Sequence, residues 1–125
     1  MPKIKVFVTL VNRLNNEQIK KTYEGFLNDE KLAYKEEDKI VTIYRNSNTI
    51  KMIRRSKENL VTLNFMEGKT KKSHLEMMGL EPLEIETDTS LLENNKYGFH
   101  ICYRTRVKEE IMGDYDFCLQ YEVEE

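Results

Sequence analysis

The sequence predicts an all-β chain: a single antiparallel barrel of about eight strands, joined mostly by up-and-down connections. Three observations carry that prediction. Apolar and polar residues alternate with a period of two near both ends, in Ile4, Val6, Val8 and Leu10 and again in Tyr115, Phe117, Leu119, Tyr121 and Val123. Between them lie runs rich in β-branched and aromatic residues, separated by turn-forming clusters about ten residues apart. The connections are tight, which suits an antiparallel meander rather than βαβ units.

Taken in order, the first strand pairs the apolar row from Ile4 to Leu10 with the alternating Lys3, Lys5, Phe7 and Thr9. The next segment reads two ways. Ile19, Tyr23, Phe26 and Leu27 fall at helical spacing behind Asn15 and Asn16, which could cap a helix with Glu17 in its first turn. Gly25 would cost that helix about 1 kcal/mol relative to Ala. Thr22, Tyr23 and Phe26 also suit a strand, and the first strand needs a hairpin partner, so strand is favoured. Leu32 and Tyr34 mark a short strand. Further runs follow at Ile40 to Arg45, Thr49 to Arg54, Leu60 to Met66, Leu83 to Leu91 and Tyr97 to Val107. Their breaks are Asn46-Ser47-Asn48, Ser56-Lys57-Glu58-Asn59, Glu67-Gly68-Lys69, Glu93-Asn94-Asn95-Lys96 and Met112-Gly113-Asp114. A flat sheet this wide would expose an apolar face and two unpaired edges. A two-layer sandwich or a closed barrel removes both, and the order of the turns favours the barrel. Without repeats, linkers or low-complexity stretches, residues 1–125 are expected to form one domain.

The chain is long enough to bury about two thirds of its unfolded surface without a disulfide or metal. Its 20 basic and 22 acidic side chains leave a formal charge of −2, which argues against a domain-wide affinity for nucleic acid. No run approaches the roughly 18 apolar residues of a membrane span. The start, Met1-Pro2-Lys3-Ile4-Lys5, lacks the features of a secretory signal. Cys102 and Cys118 show no CxxC spacing and read as reduced thiols of a cytoplasmic protein. Their place on neighbouring strands leaves a cross-strand disulfide open.

Chemistry-bearing motifs are scarce. His74 and His100 have no HxH, HExxH or Cys/His cluster around them, and GxSxG, GxxxxGK and GxGxxG are missing. No metal, cofactor or catalytic residue is therefore assigned, and the chain is not expected to be an enzyme. Glu84, Glu86, Glu122 and Glu124 read as a solvated face. Lys69-Thr70-Lys71-Lys72 reads as an exposed hairpin tip; with Arg54-Arg55 and Arg104-Thr105-Arg106 it would make an anion-binding surface only if the fold brought the three together. One constellation stands out. Alternation turns His74 and His100 outward and puts Cys102 on the His100 face about 7 Å along the strand. A nearby imidazolium can activate a thiol, but no third, orienting residue is evident.

Polar residues also fall within inward apolar rows. Arg54 shares a face with Ile50 and Met52, Thr87 and Thr89 interrupt the row from Leu83 through Ile85 to Leu91, and Tyr103 and Thr105 follow Phe99 and Ile101. A guanidinium inside a barrel requires partners. It either closes one barrel end through a carboxylate or carbonyls, or anchors a ligand.

Several of these elements together resemble the YwiB-like family of small bacterial proteins. They are Ile50-Lys51-Met52-Ile53-Arg54, Phe65, Gly68-Lys69, His74-Leu75-Glu76-Met77-Met78-Gly79 and Leu83-Glu84-Ile85-Glu86-Thr87, with Tyr23-Glu24-Gly25 and Tyr34-Lys35-Glu36 upstream. The likeness spans nearly the whole chain. His74, Glu76 and Met77-Met78 depart from the family's Tyr, Thr and Pro-Tyr, and Ser56 from its Gly. The resemblance implies a calycin-like (lipocalin-like) barrel and strands at 23–25 and 34–36, and it supplies no function.

The expectation for function is non-catalytic binding of a small apolar or amphipathic molecule within the barrel. Arg54, Thr87, Thr89 and Tyr103 would orient its polar part, and Met52, Ile85 and Ile101 would line the cavity. The alternative is a protein-interaction or self-association module with a filled interior, in which case the partner could be a second copy of the chain.

Overall fold

The computed structural model describes residues 2–29 and 31–124. It contains ten strands: β1 (Lys3–Asn12), β2 (Glu17–Asn28), β3 (Lys31–Glu36), β4 (Lys39–Arg45), β5 (Thr49–Arg55), β6 (Asn59–Met66), β7 (Thr70–Met77), β8 (Leu83–Asn95), β9 (Gly98–Val107) and β10 (Glu110–Val123). Each pairs antiparallel with its sequence neighbours, and β1 also pairs with β10, so the sheet closes into one barrel. Closure gives every described strand a neighbour on both sides, although β3 covers only Gly25–Asn28 of β2 and β7 covers only Asn59–Thr62 of β6. Among the described residues, no helix is long and apolar enough to cross a membrane.

The barrel has ten strands rather than about eight. Residues 17–28 form strand β2, registered on β1 from Lys3↔Phe26 to Asn12↔Glu17. Gly25, the residue that spoils a helix there, faces β3. A Cβ at this position would lie 2.2 Å from the Ala33 carbonyl oxygen, so the glycine admits the neighbouring strand. The strand that none of the predicted runs covers is β7. Its inner row holds Ser73 with half-buried Leu75 and Met77, too little apolar character to register as a strand. The basic run is accordingly not all hairpin tip: Lys69 lies in the turn, whereas Lys71 and Lys72 belong to β7.

Alternation sends Ile4, Val6, Val41, Ile43, Phe99 and Leu119 fully inward. At the end that carries the described chain ends, the interior is packed solid. Phe99 and Phe117 stack with centroids 5.8 Å apart, and Phe65 meets Tyr103 edge-on at 4.6 Å. Arg45 Nη1 donates to the Gly98 carbonyl at 2.8 Å, and the Tyr121 hydroxyl donates to the Lys96 carbonyl at 3.0 Å, which secures the β8–β9 turn over this base. The opposite end, where β1–β2, β3–β4, β5–β6, β7–β8 and β9–β10 turn, is the mouth.

Two bulges adjust the walls. In β8 the register slips between Thr89 and Leu91, with Ser90 as the extra residue. Its hydroxyl donates to the Cys102 carbonyl at 3.2 Å. Leu91 therefore faces outward opposite Cys102, and Leu92, opposite Ile101, takes the inner position that unbroken alternation would give Leu91. In β10 a slip between Ile111 and Gly113 sets Met112 loose at the mouth.

Gly98 tests the packing of the base. A Cβ there would stand 2.0 Å from the Leu119 carbonyl oxygen, on backbone that cannot yield. Gly98→Ala should lower the unfolding free energy by about 1–3 kcal/mol, as overpacking does. Exposed Lys5→Ala should change it by less than about 0.5 kcal/mol. Urea denaturation of both variants measures the difference.

Candidate functional site

The inner packing stops near Met52 and Phe117. Beyond them a cavity of about 260 Å³ reaches toward the mouth. Leu10, Val61, Leu63, Ile85, Val107, Met112 and Phe117 supply its apolar wall, and Arg54, Tyr103, Thr105 and Tyr115 its polar members. A ring of ten strands encloses more space than an eight-stranded one, whose side chains alone nearly fill it. The cavity is thus a consequence of strand number combined with residue size.

Arg54 is the charged group on this wall. Its Nη2 lies 3.5 Å from Glu36 Oε2, an ion pair that bridges β5 and β3 over β4 near the mouth. Its Nε, the Tyr34 hydroxyl and Thr89 Oγ1 are buried with no partner in full hydrogen-bond geometry, although the Arg54 guanidinium is near enough to the Tyr34 hydroxyl to interact with it weakly. Burial drives the phenols of Tyr34 and Tyr103 well above their ordinary range, and the Arg54 charge only partly offsets this. Both remain neutral O–H donors at physiological pH. Tyr103 packs against Tyr115 at 5.1 Å and Tyr34 stacks on Tyr23 at 5.1 Å, so the aromatic groups are held by neighbours. Buried polar atoms without partners are uncommon, because each forfeits its hydration.

Of the residues expected to line a ligand site, Arg54, Met52, Ile85 and Tyr103 do line this cavity. Ile101 lies deeper, fully buried in the core. Thr87 serves the wall. Paired register between β6 and β7 runs only from Asn59↔Met77 to Thr62↔His74, and farther along the strands part. The Thr87 hydroxyl enters the gap, donating to the Asn64 carbonyl at 2.5 Å with the Lys71 carbonyl at 3.2 Å and Ser73 Oγ at 3.3 Å. Ser73 Oγ in turn accepts from the Asn64 amide at 3.0 Å. Thr89 is buried beside this seam and does not reach the cavity. Sequence reasoning missed Val61, Leu63 and Tyr115, although Val61 and Leu63 lie in the Leu60 to Met66 run and Tyr115 in the alternating row with Phe117 and Leu119 that predicted these strands.

The outer face carries a second group. His100 and Cys102 share the outward side of β9, with Cys102 Sγ 3.7 Å from His100 Nε2. The third member, absent from the sequence reading, is Asp116 of β10: its Oδ1 lies 2.5 Å from the same Nε2. Arg13 Nη2 donates to Asp116 Oδ2 at 3.1 Å and to Cys102 Sγ at 3.4 Å, and these bonds hold its pKa above the ordinary value. Both thiols are free, so the cross-strand disulfide is not formed.

The basic clusters do not merge. Lys69 and Arg104 meet Arg13 around one shallow groove, but Asp88 and Asp114 sit among them. Arg106 binds Asp88 through two bonds of 2.6 and 2.9 Å, which with Thr70 holds that carboxyl below its usual range. Arg54 points to the interior and takes no part.

The barrel has a solved counterpart. Its fold is that of the ywiB protein from Bacillus subtilis. The crystal structure of that protein superposes with a TM-score of 0.68 over 99% of this chain and 93% of its own, at 14% sequence identity. No protein-family model matches the chain, and no curated protein matches it. At this identity the ywiB likeness establishes architecture alone.

The two inward threonines should separate in a stability measurement. Thr87→Val leaves the Asn64 carbonyl without its buried donor and should cost about 1–3 kcal/mol. Thr89→Val removes a hydroxyl that has no partner and should be neutral or stabilising. Chemical denaturation of the two variants side by side gives the comparison.

Proposed function

We propose that the protein is a non-catalytic binding protein whose mouth cavity takes one small amphipathic molecule, with its anionic or hydrogen-bond-accepting head toward Arg54. The single observation that carries this reading is a buried Arg54 Nε without a partner on the wall of a cavity of about 260 Å³. A ligand acceptor would satisfy that donor, and a charge-assisted bond there is stronger than a neutral one. The apolar wall suits a hydrocarbon or aromatic body. Leu14, Met78 and Leu80, exposed on turns of the same end, and Met112, exposed at the β10 bulge, make the approach apolar as well. On this reading the barrel is calycin-like in use: one end filled, the other open to a ligand.

What supports the non-catalytic part is the lining. Its polar members are Arg54, Thr105, Tyr103 and Tyr115. An arginine and a phenol pushed upward by burial are poor proton carriers near neutral pH. The interaction-module reading asks for a filled interior, a condition met in the base but not at the mouth. Nucleic acid is disfavoured by the acids interleaved among the outer arginines.

Octanoate and 1-octanol share an apolar chain and differ in the head group, so they are suitable probes. Isothermal titration should show octanoate binding at one site per chain, with 1-octanol weaker by about tenfold, corresponding to about 1.4 kcal/mol. Arg54→Gln should erase that preference while leaving the octanol affinity nearly unchanged. Failure of octanoate to bind, or a preference that survives Arg54→Gln, would remove this function.

A further inference from the structure

We propose that His100, Cys102 and Asp116 form a site for one divalent transition-metal ion of the Zn²⁺ class, on the outer face of the β9–β10 pair. The ladder creates the grouping. Cys102 stands directly opposite Asp116, and His100 lies two residues along on the same face. The imidazole nitrogen, the sulfur and a carboxylate oxygen all lie within 4.8 Å of one another. Zn–N and Zn–O bonds of about 2.0–2.2 Å and a Zn–S bond of about 2.3 Å place tetrahedral ligand atoms roughly 3.3–3.8 Å apart. The His100–Cys102 separation of 3.7 Å already meets that spacing, and the 2.5 Å His100–Asp116 contact needs to open by about an ångström.

The geometry chelates rather than relays. In a catalytic triad the carboxylate holds one ring nitrogen and the nucleophile meets the other. Here Asp116 and Cys102 both face Nε2, so three donor atoms converge on one point. The opposite nitrogen, Nδ1, lies 3.9 Å from Glu93 Oε1, too far for a hydrogen bond here; a small closure of that gap on metal binding would give the histidine an orienting carboxylate. A cation already sits beside two of the three ligands: Arg13 Nη2 touches both Cys102 Sγ and Asp116 Oδ2. Arg13 is about half exposed, and its Nη1 lies 3.7 Å from Asp114 Oδ1, so it can withdraw to that carboxylate when a metal enters. On binding, the Cys102 S–H bond breaks, a metal–sulfur bond forms and the proton leaves to solvent; no electron is transferred. Three protein ligands leave the fourth position to water or a small anion. The pairing of a thiolate with an imidazole and a single carboxylate favours Zn²⁺ or Co²⁺ over Mg²⁺ or Ca²⁺.

Cobalt is the spectroscopic probe. The chelator-treated, reduced chain titrated with Co²⁺ should develop a thiolate-to-cobalt charge-transfer band that saturates at one equivalent and is displaced by Zn²⁺. Cys102→Ser should abolish the band, Asp116→Asn should weaken Co²⁺ binding by about tenfold or more, and Cys118→Ser should leave both unchanged. His100→Gln provides a second ligand variant, and circular dichroism confirms that each variant folds. Arg13→Ala, which removes the competing cation, should tighten binding. The site is overturned if the unaltered chain shows no band at saturating Co²⁺. It is equally overturned if the band persists in Cys102→Ser and disappears in Cys118→Ser, or if it emerges only in Arg13→Ala.

Discussion

Pairing the first strand with the last is the constraint on which everything else in this barrel rests. β1 and β10 come together along nine residue pairs, from Ile4↔Val123 to Asn12↔Tyr115. Every other ladder joins strands adjacent in sequence and can form locally; this one must close a loop of the whole chain. Until it forms, two edges are exposed and Ile4, Val6 and Val8 have only half their packing. Both candidate sites also wait on it. Leu10 completes the cavity wall opposite Tyr115 and Phe117 only when β1 lies against β10. Arg13 reaches Asp116 and Cys102 across 103 and 89 residues of sequence by the same closure.

Ring size then sets a conflict between stability and space. Phe65, Phe99 and Phe117 fill the base with aromatic volume, whereas the wall above Met52 is built of Val61, Leu63, Ile85 and Thr105, which are too small to meet across ten strands. Larger residues there would bury more apolar surface at about 25 cal/mol per Å². The chain instead keeps a cavity, with Arg54 on its wall carrying a buried Nε that has no partner. Local departures from the most stable solution tend to collect where function lies. Thr87 is the contrary case. Its hydroxyl is buried and fully engaged, and it mends a seam where β6 and β7 part.

Much of this was legible in the sequence, and the limits have a common physical origin. Alternation tells which face a side chain takes, so the outward placement of His74, His100 and Cys102 and the inward placement of Arg54 and Tyr103 could be read directly. It does not give the register between strands. Asp116 was invisible as the third member of the His100 group because its partner relation with Cys102 exists only in the β9–β10 ladder. Alternation also fails wherever a residue is inserted: the slip at Ser90 moved Leu91 outside and Leu92 inside. Weak inner rows escape it too, since β7 offers Ser73 where a strand normally shows a branched apolar residue. Gly25 was ambiguous for a different reason. Its role is to make room for the Ala33 carbonyl, a packing demand from another strand that no local pattern expresses.

Strand β9 shows how one element can serve two chemistries without compromise. Successive side chains project from opposite faces, so Tyr103 enters the cavity while its neighbour Cys102 stands among His100, Asp116 and Arg13. The strand is hydrogen-bonded along both edges, to β8 and to β10, and Phe99, Ile101 and Tyr103 are buried beneath it. A strand held this way cannot slide or rotate to trade space between its faces; interiors packed at crystal-like density resist continuous deformation. The two groups therefore share a backbone but no side chain. The charge of Arg54 acts inside, where it faces Glu36 and the tyrosines, and that of Arg13 acts outside, where it faces two aspartates and a thiol. The sheet between them keeps each arginine with its own partners, which allows a chain of this size to carry an apolar cavity and a polar side-chain cluster back to back.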